Sequence, residues 1–372
     1  MKKFPFIMIV IAALACNLPG QPLTPTPSIT STAPAATLAA ARTPQAGTQT
    51  LAFAPIPKSE PASTPNDMLE AIDLIHNVGG RGAFIGWSWK MLEPSAGNFA
   101  AKEVSNGLKG FEARNFEMLI TIQVINTLAK ETPPDLANVA FDSPQMKQRF
   151  RALIDAALPH IGKNVKYISI GNEVDSYLMN HPSEWAAYKN FYDDAASYVH
   201  SVAPTLKVGV ATTFGGANGA AASQVAALNQ NSDVFILTYY PLDDQFIANN
   251  PAAPLTDFPQ MIALANGKPL ILKEVGYPSS ATLKSSEEEQ AEFVANVFKA
   301  WQSAGGRIPY LAFFALHDFG KKTCDDLTRY YGASDRAVNF KAYLCTLGLR
   351  RADGTAKAAW KSLEIGIKSL PK

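Results

Sequence analysis

Between residues 51 and 345 the chain repeats one pattern, a short apolar run of strand-like composition followed by an amphipathic run of helical period. The apolar runs fall at 51–56, 82–89, 116–125, 165–170, 206–211, 234–239, 269–273 and 310–316. The helical runs follow at 66–77, 101–114, 143–158, 183–202, 221–228, 258–265, 286–303 and 338–345. Ser143 and Pro144 supply an N-cap and a first helical residue for the third of these helices. Strict alternation of this kind predicts an α/β fold with a parallel sheet, and eight pairs favour a closed (β/α)8 TIM barrel. A doubly wound open sheet is the alternative. It would gather its ligand site at one switch point, whereas here polar residues follow many strands in turn. No second domain is expected within 50–372.

Two of the apolar runs end on a carboxylate. Val165-Lys166-Tyr167-Ile168-Ser169-Ile170-Gly171-Asn172-Glu173-Val174 stops on an amide and an acid, and Pro269-Leu270-Ile271-Leu272-Lys273-Glu274-Val275-Gly276-Tyr277-Pro278 delivers a glutamate before a Gly and a Pro break the strand. Either glutamate alone also fits a structural ion pair at a strand end. In an eight-stranded barrel, however, Glu173 closes strand four and Glu274 closes strand seven, so both face the cleft at the carboxyl ends of the strands. Two carboxylates brought there from separate strands are what acid/base or nucleophilic work on a glycosidic bond needs.

At these residues the chain resembles the retaining (β/α)8 glycoside hydrolases. Gly171-Asn172-Glu173 and Lys273-Glu274-Val275-Gly276-Tyr277-Pro278-Ser279 look like that clan's acid/base and nucleophile segments, and the wording is most similar to the family 17 β-1,3-glucanases. Tyr239-Tyr240-Pro241 fits the Tyr-Pro usual at the sixth strand. The stretch Trp89-Lys90-Met91-Leu92-Glu93-Pro94-Ser95-Ala96-Gly97 resembles the turn after strand two in other clan members. The resemblance implies that Glu274 attacks the anomeric carbon while Glu173 protonates the leaving oxygen and then deprotonates water. It implies further that Asn172 binds the sugar 2-hydroxyl and that Tyr240 positions Glu274.

Trp87, Trp89 and Tyr277 lie at strand ends, where aromatic faces stack on sugars or pack in a core. Gln123 and Asn126 end strand three as candidate hydroxyl binders or as ordinary loop amides. His317-Asp318 follows strand eight, where the clan often has Trp, and His317 is a candidate contact to substrate or a histidine hydrogen-bonded within the barrel rim.

The N-terminus carries different information. Lys2 and Lys3 precede a short apolar segment, and Ala13-Leu14-Ala15 sets small residues before Cys16. This is an export signal in charge and length, too short to span a bilayer comfortably. It resembles a bacterial lipoprotein signal, which implies lipidation of Cys16 and places 1–16 in the signal. Residues 17–49 are rich in Pro, Thr, Ser and Ala, nearly uncharged, and cannot bury a core; they read as a tether. The remaining two cysteines, Cys324 and Cys345, are a candidate disulfide in an exported protein.

Other chemistries find little support. A formal net charge of +1 gives no field to attract nucleic acid or an anionic surface. The Gly215-Gly216-Ala217-Asn218-Gly219 stretch lacks the lysine of a phosphate loop. The five histidines are scattered and form no His-Glu-x-x-His, so no metal site and no cofactor are expected. No Gly-x-Ser-x-Gly elbow is present. The sequence thus predicts an exported monomer acting on an oligo- or polysaccharide, touching the membrane only through a lipid. A catalytically inactive glycan-binding barrel and a transglycosylase remodelling β-glucan are the alternatives.

Overall fold

The computed structural model describes residues 49–332 and 337–370, so Cys16 and residues 17–48 of the tether lie outside the described residues. Eight strands form the barrel: β1 (Thr50–Phe53), β2 (Gly82–Ser88), β3 (Glu117–Asn126), β4 (Val165–Asn172), β5 (Lys207–Gly209 and, past Val210, Ala211–Thr213), β6 (Phe235–Tyr239), β7 (Leu270–Val275) and β8 (Tyr310–Phe313). Neighbours pair in parallel from β1 to β8, and β8 pairs with β1 in register Thr50 to Tyr310. Among the described residues the ring is interrupted only at Val210, between the two halves of β5. There the Ser169 hydroxyl donates to the Gly171 carbonyl and accepts from the Ala211 amide, which meets the hydrogen-bonding need of the break. The fold is a single-domain (β/α)8 TIM barrel.

Side-chain parity divides the molecule into two cores. Ile85, Trp87, Ile120, Ile122, Ile168, Ile170, Leu237 and Leu272 point outward under the helices. Ala52, Phe84, Leu119, Tyr167, Ile236, Ile271, Tyr310 and Ala312 point inward and fill the barrel. The surrounding helices start where local chemistry says they should. Helix α1 (Pro65–Val78) opens with a Thr64–Asp67 capping box and a Pro at its first position, and ends on Gly79 at φ 111°. Ser143 accepts from the Met146 amide at the head of α4 (Pro144–Ala157). Helix α10 (Glu287–Ser303) has Ser286 as its cap and three glutamates in the first turn, against the positive end of the helix dipole.

After the short α2 (Trp89–Leu92), the remaining helices are α3 (Lys102–Glu112), α5 (Val174–Asn180), α6 (Trp185–Val202), α7 (Phe214–Asn218), α8 (Ala222–Leu228), α9 (Pro254–Leu264), α11 (Lys321–Tyr330), α12 (Ala337–Cys345) and α13 (Ala358–Ser369).

The end of the chain departs from the sequence expectation. The eighth outer helix is α13 and not the 338–345 run. At Gly366 it meets α10 so closely that a Cβ would fall 2.2 Å from the Phe298 ring. The 338–345 run is α12, which pairs with α11 in an insert after β8. The Cys324–Cys345 disulfide joins the two helices. Tyr343, Phe340 and Tyr331 of this insert pack on Tyr240 and Phe246 of the loop after β6, with Tyr343 and Tyr240 ring centroids 5.5 Å apart. The apolar pattern of α12 was therefore real, but its partner is the mouth of the barrel and not its flank.

Candidate active site

The Gly171-Asn172-Glu173 segment owes its shape to two left-handed residues. Gly171 has φ 91°, and a Cβ there would lie 2.4 Å from the Tyr188 hydroxyl, so only glycine fits. Glu173 itself has φ 45°, an uncommon conformation for a residue with a side chain. It turns the chain from β4 into α5 and sends the carboxylate back across the barrel mouth. Thr127, just past β3, is also left-handed at φ 52°, and its amide donates to the Asn172 carbonyl at 2.9 Å. Strained backbone held by neighbours is a feature of working sites.

Glu173 is fully buried. Its Oε1 accepts from the Thr238 hydroxyl on β6 at 2.7 Å and its Oε2 from the Thr127 hydroxyl at 3.0 Å. Thr238 is the strand partner of Glu274, so the two glutamates meet across one side chain. Glu274, equally buried, accepts from the Tyr240 hydroxyl on Oε2 at 2.8 Å and from Lys273 Nζ on Oε1 at 2.9 Å. Lys273 also donates to Asn172 Oδ1, and Asn172 Nδ2 donates to Asn126 Oδ1 at 3.1 Å.

The two acids sit in different electrostatic surroundings. Burial, and after it the negative charge of Glu274, pushes the Glu173 carboxyl up to about 8. Burial raises Glu274 as well, but Lys273 and the Tyr240 hydroxyl oppose the rise. The two environments differ, since Lys273 and Tyr240 favour the charged form of Glu274 while burial and the charge of Glu274 disfavour that of Glu173. Behind Glu173 a third carboxylate, Asp175, accepts from the Thr213 amide at 2.9 Å and hydroxyl at 2.7 Å, and burial raises it to about 6. It tethers the start of α5 to β5.

The structure thus gathers Glu173, Glu274, Asn172 and Tyr240 at one place, with Asn126 beside them. Gln123 lies inside the barrel at the end of β3, with its Nε2 against the Gly86 backbone position and no hydrogen-bond partner among the described residues.

The other candidates lie elsewhere. Trp87 points outward from β2, with its ring against Gly107 of α3. Trp89 packs edge-on to Phe150, with ring centroids 5.2 Å apart, and its Nε1 donates to the buried Glu93 at 2.9 Å. Glu93 also accepts from the Gly97 amide and from Arg149, so the Trp–Glu–Gly turn after β2 is a structural brace. The Tyr277 ring stacks on Phe293 of α10 and its hydroxyl donates to the Asn249 carbonyl. None of these three rings faces the glutamates. His317 sits with Nδ1 at 2.8 Å from the Ile56 carbonyl, tying the end of β8 to that of β1, and burial pushes its imidazole down to about 4. Just past β8, Phe314 points inward, near Phe84 and Tyr240.

Thr127, Thr238 and the role of Lys273 were not expected. Each is a common residue type whose partner is remote in sequence. The aromatic insert residues Tyr331 and Tyr343 also escaped notice. Among the described residues, no group of three or more His, Cys, Asp or Glu could hold a metal, and no helix is long and apolar enough to cross a membrane.

The model of Glycosyl hydrolase family 53 matches residues 146–311, a stretch that contains both glutamates. Among solved structures, a GH5_18 protein from Streptomyces cattleya in complex with GlcNAc superposes with a TM-score of 0.68 at 14% identity, covering 88% of this chain and 82% of that one. A GH5_18 variant from Bifidobacterium longum subsp. longum, in complex with Manβ1-4GlcNAc, gives 0.69 at 13% identity over 87% and 79%. The exo-β-1,4-mannosidase Op5Man5 from an Opitutaceae bacterium gives 0.68 at 15% identity, over 86% of this chain and 59% of that one. A search of the curated proteins finds no match. The architecture is the (β/α)8 barrel that these neighbours share. The neighbours share the fold, and the stretch 146–311 is similar to Glycosyl hydrolase family 53.

Proposed function

We propose that the protein is an extracytoplasmic retaining glycoside hydrolase that cleaves β-linked glycans by double displacement. The observation that carries this reading is the convergence of two buried carboxylates in opposed environments. Glu274, held as a carboxylate by Lys273 and Tyr240, attacks the anomeric carbon and forms a glycosyl ester. Glu173, protonated at neutral pH, gives its proton to the departing oxygen. The resulting Glu173 carboxylate then takes a proton from water, which opens the ester and restores both groups. Asn172 has a second N–H beyond the one given to Asn126, and this is the donor for the sugar 2-hydroxyl. Both acids are buried, with Tyr331 of the α11–α12 insert facing them and Tyr343 packed on Tyr240.

Proton NMR of the first-formed product anomer tests the mechanism, and an inverted product defeats it. Glu274→Ala and Glu173→Ala should each lower kcat on the order of 10³-fold or more, with azide giving opposite glycosyl azide anomers in the two variants. Wild-type-like turnover in either would end the assignment. Laminarin, galactan and mannan form the first substrate panel, joined by Manβ1-4GlcNAc because a structural neighbour was solved with it.

The proposed location is the cell envelope. There a lipid on Cys16 would hold a monomeric barrel at the membrane surface through residues 17–49. Metabolic labelling with a radioactive fatty acid should mark the wild type and not Cys16→Ser; equal labelling refutes the anchor.

A further inference from the structure

Strand β7 carries one residue too many. Leu272 pairs with Leu237 and Glu274 with Thr238 on β6, while Leu272 pairs with Leu311 and Val275 with Phe313 on β8. Lys273 is the residue left over, so the strand bulges there. Successive side chains of a regular strand face opposite sides, and a bulge relaxes that rule. Lys273 and Glu274 thereby both point into the barrel. The lysine side chain is wholly buried, with its Nζ 2.9 Å from Glu274 Oε1 and 5.2 Å from the centre of the Phe84 ring.

The same ammonium also donates to Asn172 Oδ1. An ammonium has donors only, so it dictates which way the Asn172 amide faces. The amide nitrogen is then turned to Asn126 Oδ1 at 3.1 Å, and Asn126 Nδ2 to the Tyr330 hydroxyl at 3.2 Å. That hydroxyl donates to Glu131 Oε1 at 2.9 Å, and the other Glu131 oxygen pairs with Lys90 at 2.8 Å. One directed row of hydrogen bonds therefore runs from β7 across β4 and β3 to the end of α11.

We propose that Lys273 is a positioning residue of the reaction proposed above: it holds Glu274 in place as a carboxylate and sets the direction of the Asn172–Asn126–Tyr330 row, which ties the α11–α12 insert to the site. This inference rests on the two-glutamate reading for its catalytic meaning, but not for its electrostatics. The charged and titratable groups facing Glu274 among the described residues are Lys273 beside it, Tyr240 just past β6, Glu173 from the end of β4 and Tyr331 from the insert. Lys273 is the cation of that set, so its loss leaves the carboxylate with acids and phenols only.

The test uses Lys273→Met and Lys273→Arg in the full chain, with 2,4-dinitrophenyl β-glycosides whose leaving group needs no proton. In Lys273→Met the acid limb of kcat/KM should move up by at least about one pH unit, and kcat/KM at pH 5 should fall on the order of 100-fold. Lys273→Arg should recover most of both. Independently of turnover, carbon-13 NMR of the Glu274 carboxyl, assigned with Glu274→Gln, should show the same upward shift. In the wild type, the Lys273 Nζ nitrogen-15 resonance should move as Glu274 titrates. If no aryl glycoside is cleaved, the hydrolase reading fails while the two NMR measurements still decide the role of Lys273. A Glu274 titration unchanged in Lys273→Met, or an Nζ resonance indifferent to Glu274, overturns the proposal. The Nζ measurement decides the case even if the Met variant does not fold.

Discussion

Replacing Glu173 by Gln should stabilise the protein, and should do so more strongly as the pH rises. The substitution keeps the size of the side chain. Its amide can still accept from one of the Thr127 and Thr238 hydroxyls and donate to the other, so the packing is preserved. What it removes is the ionisation. The folded protein holds Glu173 at about 8 against an ordinary 4.5, because burial and Glu274 both disfavour the charged form. Between these values the folded state binds the proton more tightly than the unfolded chain, so the contribution is fully present below pH 4.5 and is lost as the pH climbs to about 8. At roughly 1.36 kcal/mol per pH unit, the wild type gives up about 3 kcal/mol by pH 7 and under about 1 kcal/mol at pH 5. Gln has no such slope. Thermal unfolding followed by calorimetry from pH 5 to 8 should show the two proteins close together at pH 5. At pH 7 the variant should melt about 4–5 °C higher for a domain of this size. Parallel curves with a constant gap across that range would mean that burial does not hold Glu173 neutral, and its assignment as the acid would lose its physical basis.

Two further substitutions probe the site and its surroundings. Thr238→Val takes away the hydroxyl that favours the Glu173 carboxylate, so the basic limb of kcat/KM should rise by about one pH unit, the worth of one charge-assisted hydrogen bond; a limb that stays or falls contradicts the arrangement. Trp87→Phe should lower stability by about 1–3 kcal/mol in urea unfolding, through the space opened under α3, and leave KM for aryl glycosides unchanged; a raised KM with intact stability would return Trp87 to the sugar.

Much of this molecule could be read from local pattern. The alternation of apolar and amphipathic runs contains the barrel, because a strand buried on both faces and a helix buried on one leave different periods in the chain. Glu173 and Glu274 stood out because each ends such a run beside residues that break it. The site's supporting groups left no such mark. Thr127 and Thr238 are single threonines whose shared partner lies 46 and 65 residues away, and Lys273 meets Asn172 across 101 residues.

Trp87 and Trp89 show why nearness to a motif was a poor guide. Along β2, Phe84 faces in while Ile85 and Trp87 face out, so a shift of one residue decides between cleft and shell. The bulge at Lys273 reverses that lesson, since one unpaired residue brings two neighbours to the same side. The end of the chain is similar, for the helical run at 338–345 packs toward Tyr240 as α12 while α13 meets α10, and that contact separates roof from flank. Amino-acid order by itself determined which segments are strands and helices and where two acids end a strand, for those follow from interactions within a few residues. Ring closure, side-chain direction and the charge held by each acid were decided by the tertiary structure, because they depend on groups that come together only when distant strands lie side by side.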